Sequence, residues 1–265
     1  MGKDRAIGVF DSGVGGLTVL DRIGHLLPRE DLIYLGDTAR YPYGSKSREV
    51  VTRYSFENTD FLVERGVKML VVACNTASAV ALDELRERRE VPVVGVIGPG
   101  AEAAARRTRN GRVGVIGTEA TIASGAYTRA LRALRADVVV YTRACPLFVP
   151  LVEEGWLDGE VVRLTVAQYL SSLKRSGIDT LILGCTHYPL LKPAIAEYLG
   201  EDVTLVDSAE ETAEQVRSTL LELGLERRRG AGTASFFVTD LPDRFIKVGA
   251  RFLGDRVESA VRIER

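Results

Sequence analysis

Short apolar runs alternate with amphipathic stretches along most of the chain, and the alternation predicts repeated strand–helix units. Residues 6–10, 31–36, 68–73 and 92–96 read as strands. Between them Leu17, Leu20, Ile23, Leu26 and Leu27 recur at helical spacing, and Pro28 stops that helix. Ser47 can cap a second helix that carries Val51, Tyr54, Phe61 and Leu62, and residues 77–88 predict a third. Pro99-Gly100 marks a junction before a small-residue helix over 101–109, whose basic end suits the helix dipole. The pattern then restarts: residues 112–121 resemble the opening strand and turn. Strands at 138–141, 180–184, 203–206 and 235–238 follow, with helices over 160–176, up to about Gly200, over 208–224 and over 244–253. Asp11 and Cys74 are 63 positions apart, and Thr118 and Cys185 are 67 apart. This layout predicts an α/β fold of two pseudo-symmetric units with mainly parallel sheets covered by helices. Chance recurrence of common strand–helix patterns is the competing reading.

Two stretches stand out within this frame. Residues 69–76 and 180–187 each run from an apolar strand through a small residue to a cysteine and then small polar residues. Each cysteine is expected at the C-terminal tip of a buried parallel strand, facing a shared pocket, where open α/β sheets bind ligands. Asp11 and Ser12 occupy a similar strand tip before a glycine-rich turn. Free N–H groups at the following helix favour an anionic group. Gly13 and Gly15 fit a dinucleotide fingerprint, but Thr18 takes its last glycine position, so a carboxylate or phosphate of a small ligand fits better. A turn used only for close packing is the alternative. The loop over 37–47 is long and rich in Tyr, Pro and Gly, which is more often functional than not.

Charge and composition narrow the field. With 35 basic and 36 acidic residues the net charge is -1, which leaves no electrostatic footprint for nucleic acid or anionic membranes. Arg227-Arg228-Arg229 reads as a solvated helix end and loop. No apolar run reaches the roughly 18 residues of a membrane helix, and no signal-peptide core precedes Ile7. A cytoplasmic protein is expected. Its three cysteines are widely spaced and read as free thiols. Cys145, beside Pro146, reads as core, and His25, on a leucine-rich helix, as structural. His187, two residues past Cys185, can share that thiol's proton. A hydrolase would leave one cysteine unexplained. Zinc held by Cys74, Cys185, His187 and Asp11 lacks a ligand-spacing motif, and a disulfide needs the sulfurs in contact. Acid/base catalysis with one thiol on each face of a substrate carbon remains, and it would invert that carbon.

Four stretches, residues 9–17, 34–44, 73–78 and 184–190, resemble the glutamate racemases of the cofactor-independent aspartate/glutamate racemase superfamily. The resemblance implies interconversion of L- and D-glutamate, with D-glutamate supplied to peptidoglycan, and no cofactor or metal. A racemase of another acidic amino acid, such as aspartate, is the alternative. Cys74 and Cys185 match the catalytic thiols, assisted by Asp11 and His187, with Glu153 as a further assisting carboxylate. Asp11-Ser12, Pro42-Tyr43-Gly44, Asn75-Thr76 and Thr186-His187 match substrate-binding groups, to which the internal repeat adds Thr118 and Thr121. The resemblance also implies two α/β domains, 1–97 with 208–265 and 98–207, an active site in the cleft between them, and a homodimer. No long extension precedes Ile7, so activation by a cell-wall precursor is not expected.

Overall fold

The computed structural model describes residues 2–264. The first half of the chain contains β1 (Ile7–Asp11), α1 (Leu17–Leu26), β2 (Leu32–Gly36), α2 (Arg48–Glu64), β3 (Met69–Val72), α3 (Asn75–Arg88) and β4 (Val93–Gly95). The second contains α4 (Ile97–Arg107), β5 (Arg112–Gly117), α5 (Glu119–Ser124), α6 (Ala126–Leu134), β6 (Val139–Ala144), α7 (Phe148–Glu154), α8 (Glu160–Arg175), β7 (Thr180–Gly184), α9 (Lys192–Leu199) and β8 (Thr204–Asp207). Then come α10 (Ser208–Glu222), β9 (Ala234–Val238), α11 (Pro242–Leu253) and β10 (Val261–Arg262).

These strands form two sheets, ordered β10-β9-β2-β1-β3-β4 and β6-β5-β7-β8. Their ladders run parallel. The order β2-β1-β3-β4 repeats as β6-β5-β7-β8, so β1 corresponds to β5 and the strand before Cys74 to the strand before Cys185. The C-terminal segment breaks the symmetry by adding β9 and β10 to the first sheet. β1, β3 and β7 are buried along their whole length, as strands covered on both faces must be. Side chains of α1, α10 and α11 cover one face of the first sheet, and α2 and α3 cover the other. In the second sheet α7, α8 and α9 cover one face, and α4 and α6 the other.

Several elements differ from the sequence reading. α3 starts at Asn75, two residues before the expected 77, so Cys74 itself stands at the N-cap position of a helix. α4 starts at Ile97 and holds Pro99 and Gly100 in its first turn, where a missing N–H goes unnoticed because the first turn has no intrahelical acceptors. Residues 119–134 form two helices that periodicity did not mark, divided by Gly125 at φ 66. His25 is exposed at the end of α1, with Nδ1 2.9 Å from the Asp21 carbonyl, and takes no part in the core. Arg227 is not solvated either. Its N–H donates to Glu30 Oε1 at 2.8 Å and its guanidinium to Asp31 Oδ2 at 2.5 Å. Glu30 also pairs with Lys68, a fully buried ammonium that donates to the carbonyls of Lys3 (2.6 Å) and Leu225 (2.9 Å). Among the described residues no helix is long and apolar enough to cross a membrane.

Candidate active site

The C-terminal ends of both sheets open onto one cavity of about 390 Å³. Ser12, Cys74, Asn75 and Thr76 line it from the first half, together with the loop stretch from Tyr41 through Pro42, Tyr43 and Gly44 to Ser45. Thr118, Cys185, Thr186 and His187 line it from the second half, and Glu153 reaches it from α7. Asp11 and Thr121 stand one step behind the wall. Sequence reasoning missed Glu119, Pro146, Val149, Pro150, Glu154 and Arg244, which also line the cavity, and passed over Tyr41 and Ser45 in a loop it had marked. Most of these carry no motif, and only the fold brings α7 and α11 to the cavity.

Burial dominates the electrostatics. Asp11 is enclosed, and loss of solvent pushes its carboxyl up, against the opposing pull of charged His187 and of the Gly13, Gly16 and Ser12 N–H groups. The Gly13 N–H donates to its Oδ2 at 2.9 Å. One donor of the glycine-rich turn is thus taken by the protein's own carboxyl group. Burial, and then the Asp11 charge, push the Cys74 thiol up to about 12, with Ser12 Oγ 3.7 Å from its sulfur. On the other side His187 Nδ1 lies 3.9 Å from Cys185 Sγ, and Nε2 lies 3.2 Å from Glu153 Oε1. Burial opposes a charge on His187, but the Cys185 and Glu153 contacts outweigh it and raise the imidazole to about 10. Glu153 is held below the usual carboxylate range: burial works against this, and His187, Tyr41 and Arg244 overcome it.

Polar groups join the two halves around the cysteines. Thr76, Thr118 and Thr121 hydroxyls form a triangle with sides of 2.9, 3.2 and 2.9 Å. Thr118 also caps α5. Asn75 Nδ2 donates to the Tyr127 hydroxyl at 2.8 Å. Its Oδ1, like Asp11 Oδ1, is buried without a partner among the described residues. Two glycines permit this approach: a Cβ on Gly15 would meet Thr186 Oγ1 at 2.1 Å, and one on Gly44 would meet Thr118 Cβ at 2.6 Å. Below the loop, buried Asp37 accepts bonds from Arg40 (2.8 Å), Thr239 (3.0 Å) and Tyr43, which fixes Tyr43-Gly44 at the cavity. Among the described residues no three His, Cys, Asp or Glu side chains gather as metal ligands.

Two like α/β units, each contributing a thiol from an equivalent strand end to one shared cavity, define a class of two-domain enzymes that act on a small molecule. The chain belongs to the Asp/Glu/Hydantoin racemase family, whose sequence profile matches residues 7–216. Curated relatives at 48–59% identity are glutamate racemases. The Geobacter metallireducens enzyme is 59% identical over 98% of this chain and 96% of its own, and the Neisseria meningitidis enzyme 49% over 97% and 96%. The crystal structure of the Thermus thermophilus glutamate racemase with β-chloro-D-alanine has a TM-score of 0.91 and 49% identity, over 100% of this chain and 98% of that one. The Francisella tularensis enzyme with D-glutamate has a TM-score of 0.93 and 40% identity, over 99% and 98%. An aspartate racemase from Picrophilus torridus, 17% identical at a TM-score of 0.59, shares the fold alone.

Proposed function

We propose that the protein interconverts L- and D-glutamate by passing the Cα proton between Cys74 and Cys185, without cofactor or metal. The observation that carries this is the pair of thiols, one from each half, on the wall of a single cavity. One sulfur, as thiolate, takes the proton from Cα. The opposite thiol returns a proton to the other face, and the centre is inverted. Reversal exchanges the two roles. In this reading Cys74 deprotonates the D-form and Cys185 the L-form, as the family resemblance implies. Asp11 takes up the Cys74 proton, and its raised carboxyl makes it a better acceptor than an ordinary aspartate. His187 serves Cys185: its charged ring, backed by Glu153, can stabilise a thiolate 3.9 Å away or hand it a proton.

Carbanionic charge developing at Cα needs fixed donors. In this reading the threonine hydroxyls, Thr186, Ser12 and the backbone N–H groups of Tyr43 and Gly44, in the turn that Pro42 opens, hold the two carboxylates. The unpartnered Oδ1 of Asn75, on the cavity wall, is an acceptor suited to an ammonium group. The D-glutamate bound by the Francisella relative supports glutamate as substrate. The same reading makes the product a peptidoglycan precursor, the location cytoplasmic, the assembly a homodimer, and the domains 1–97 with 208–265 and 98–207. Sheet membership supports that division.

Cys74→Ala and Cys185→Ala should each abolish racemisation and leave the circular-dichroism spectrum unchanged. In D2O the parent enzyme should place deuterium at Cα without added pyridoxal phosphate. Full activity in either variant overturns the proposal, and faster turnover of L-aspartate than of L-glutamate reassigns the substrate.

A further inference from the structure

The C-terminal helix α11 belongs to the first half of the chain by its packing but reaches across to the second. Arg244, Val248, Arg251 and Phe252 recur at the spacing of a single helix face. Arg244 Nη2 lies 3.6 Å from Glu153 Oε2. Arg251 Nη1 donates to the Val152 carbonyl at 3.4 Å. The Phe252 ring stands edge-on to the His187 imidazole, with centroids 5.6 Å apart. Both Val152 and Glu153 are on α7, so one face of α11 grips α7 and abuts His187.

Glu153 is thereby held through both oxygens. Oε1 faces His187 Nε2 at 3.2 Å, and Oε2 faces Arg244. The Tyr41 hydroxyl also favours its charge. Glu154, next in sequence, lines the same cavity. Cys185 bears on His187, and Glu153, Cys185 and Asp11 all bear on the Tyr41 hydroxyl. A carboxylate held by one oxygen alone can turn about its last bond and exchange partners with water. A second contact, from a guanidinium, suppresses that rotation.

We propose that Arg244 is a positioning residue: it clamps Glu153, which orients His187 beside Cys185, and so makes α11 a working part of the proton relay. This rests on the two-thiol reading above. Arg244 is on the surface, so replacing it leaves no hole in the core.

The test compares Arg244→Met with Arg244→Lys. In the Met variant kcat/KM should fall roughly tenfold, because a loosened relay group is misplaced by a fraction of an ångström. Loss of a cation raises the Glu153 carboxyl, so the acid limb of the pH profile should move up by about half a pH unit. Lys should restore most of both. In a Glu153→Gln background, Arg244→Met should cost nothing further. A readout independent of turnover is the His187 Nε2–H signal in the NMR spectrum, in a chain with two histidines. Its exchange with water should accelerate in Arg244→Met. An unchanged acid limb with unchanged kcat/KM overturns the proposal, as does a loss that Lys does not repair. If the parent enzyme failed to racemise glutamate, the two-thiol reading would fall. The exchange rate would still decide on the clamp, and an unaltered rate would reject it.

Discussion

Gly15→Ala tests whether the halves must touch at the glycine-rich turn. The added Cβ would lie 2.1 Å from Thr186 Oγ1, 2.5 Å from His187 Nδ1 and 2.7 Å from His187 Cε1. Ordinary contact begins at about 3.5 Å, so these atoms must retreat by roughly an ångström. The Thr186 hydroxyl can rotate away. The imidazole cannot, because Glu153 holds one nitrogen at 3.2 Å and Cys185 lies 3.9 Å from the other. Either the ring leaves this line or the halves move apart. Overpacking of this kind costs about 1–3 kcal/mol, which at about 2–4 °C per kcal/mol lowers Tm by several degrees. An ångström of displacement at a reacting group costs on the order of 10²-fold in rate. Calorimetry and polarimetric turnover from each enantiomer measure both effects. Gly98→Ala is the control, because a Cβ there meets nothing within 4 Å. It should keep full activity and gain about 0.4–1 kcal/mol from the stiffer unfolded chain. Parental Tm and parental kcat/KM in Gly15→Ala would refute the reasoning.

Two further outcomes follow from buried charge. Lys68→Met strands the Glu30 carboxylate and removes the donor from two carbonyls. Breaking such a pair costs about 3–5 kcal/mol, to be read as a lower urea midpoint with unaltered kcat/KM at low temperature, and an unchanged midpoint would remove the pair from the stability account. His187 rises from 6.5 to about 10 on folding, so its contribution to stability is complete below about 6.5 and is lost as pH climbs through about 10. Tm should therefore fall between pH 7 and 10 more steeply in the parent than in His187→Asn, and equal slopes would contradict the assignment.

The strands were legible in the sequence because parallel strands buried on both faces are plain apolar runs, as in Ile7–Asp11 and Thr180–Gly184. The cysteines were legible because each interrupts such a run with small polar residues. The start of α3 was not, since Asn75 and Thr76 are ordinary turn residues that also suit a first helical turn. The α5–α6 pair was too short for its period to register and is split by Gly125. Arg227 and Arg244 look like surface charges, and only tertiary structure sets one against Glu30 and Asp31 and the other against Glu153. In the glycine-rich turn the Gly13 N–H is taken by Asp11, two residues earlier, a local contact that no spacing rule separates from a ligand's.

The two thiols occupy equivalent places in the fold and unequal surroundings. The Asp11 charge acts on Cys74, whereas a chain of contacts runs from Arg244 through Glu153 and His187 to Cys185. Enantiomers have the same free energy in water, so the equilibrium constant of a racemase is one. kcat/KM must then be the same in both directions, since both measure the same transition state from free substrates of equal energy. Unequal surroundings can therefore appear only in kcat and KM taken separately, each shifting in step with the other. A substitution on either side, at Asp11 or at Arg244, must lower kcat/KM equally from L and from D. What it can bias is which bound enantiomer accumulates, because that depends on where the resting proton lies. In the proposed reaction the duplicated fold supplies a thiol for each face of the substrate carbon, and that chemistry asks nothing more of the symmetry.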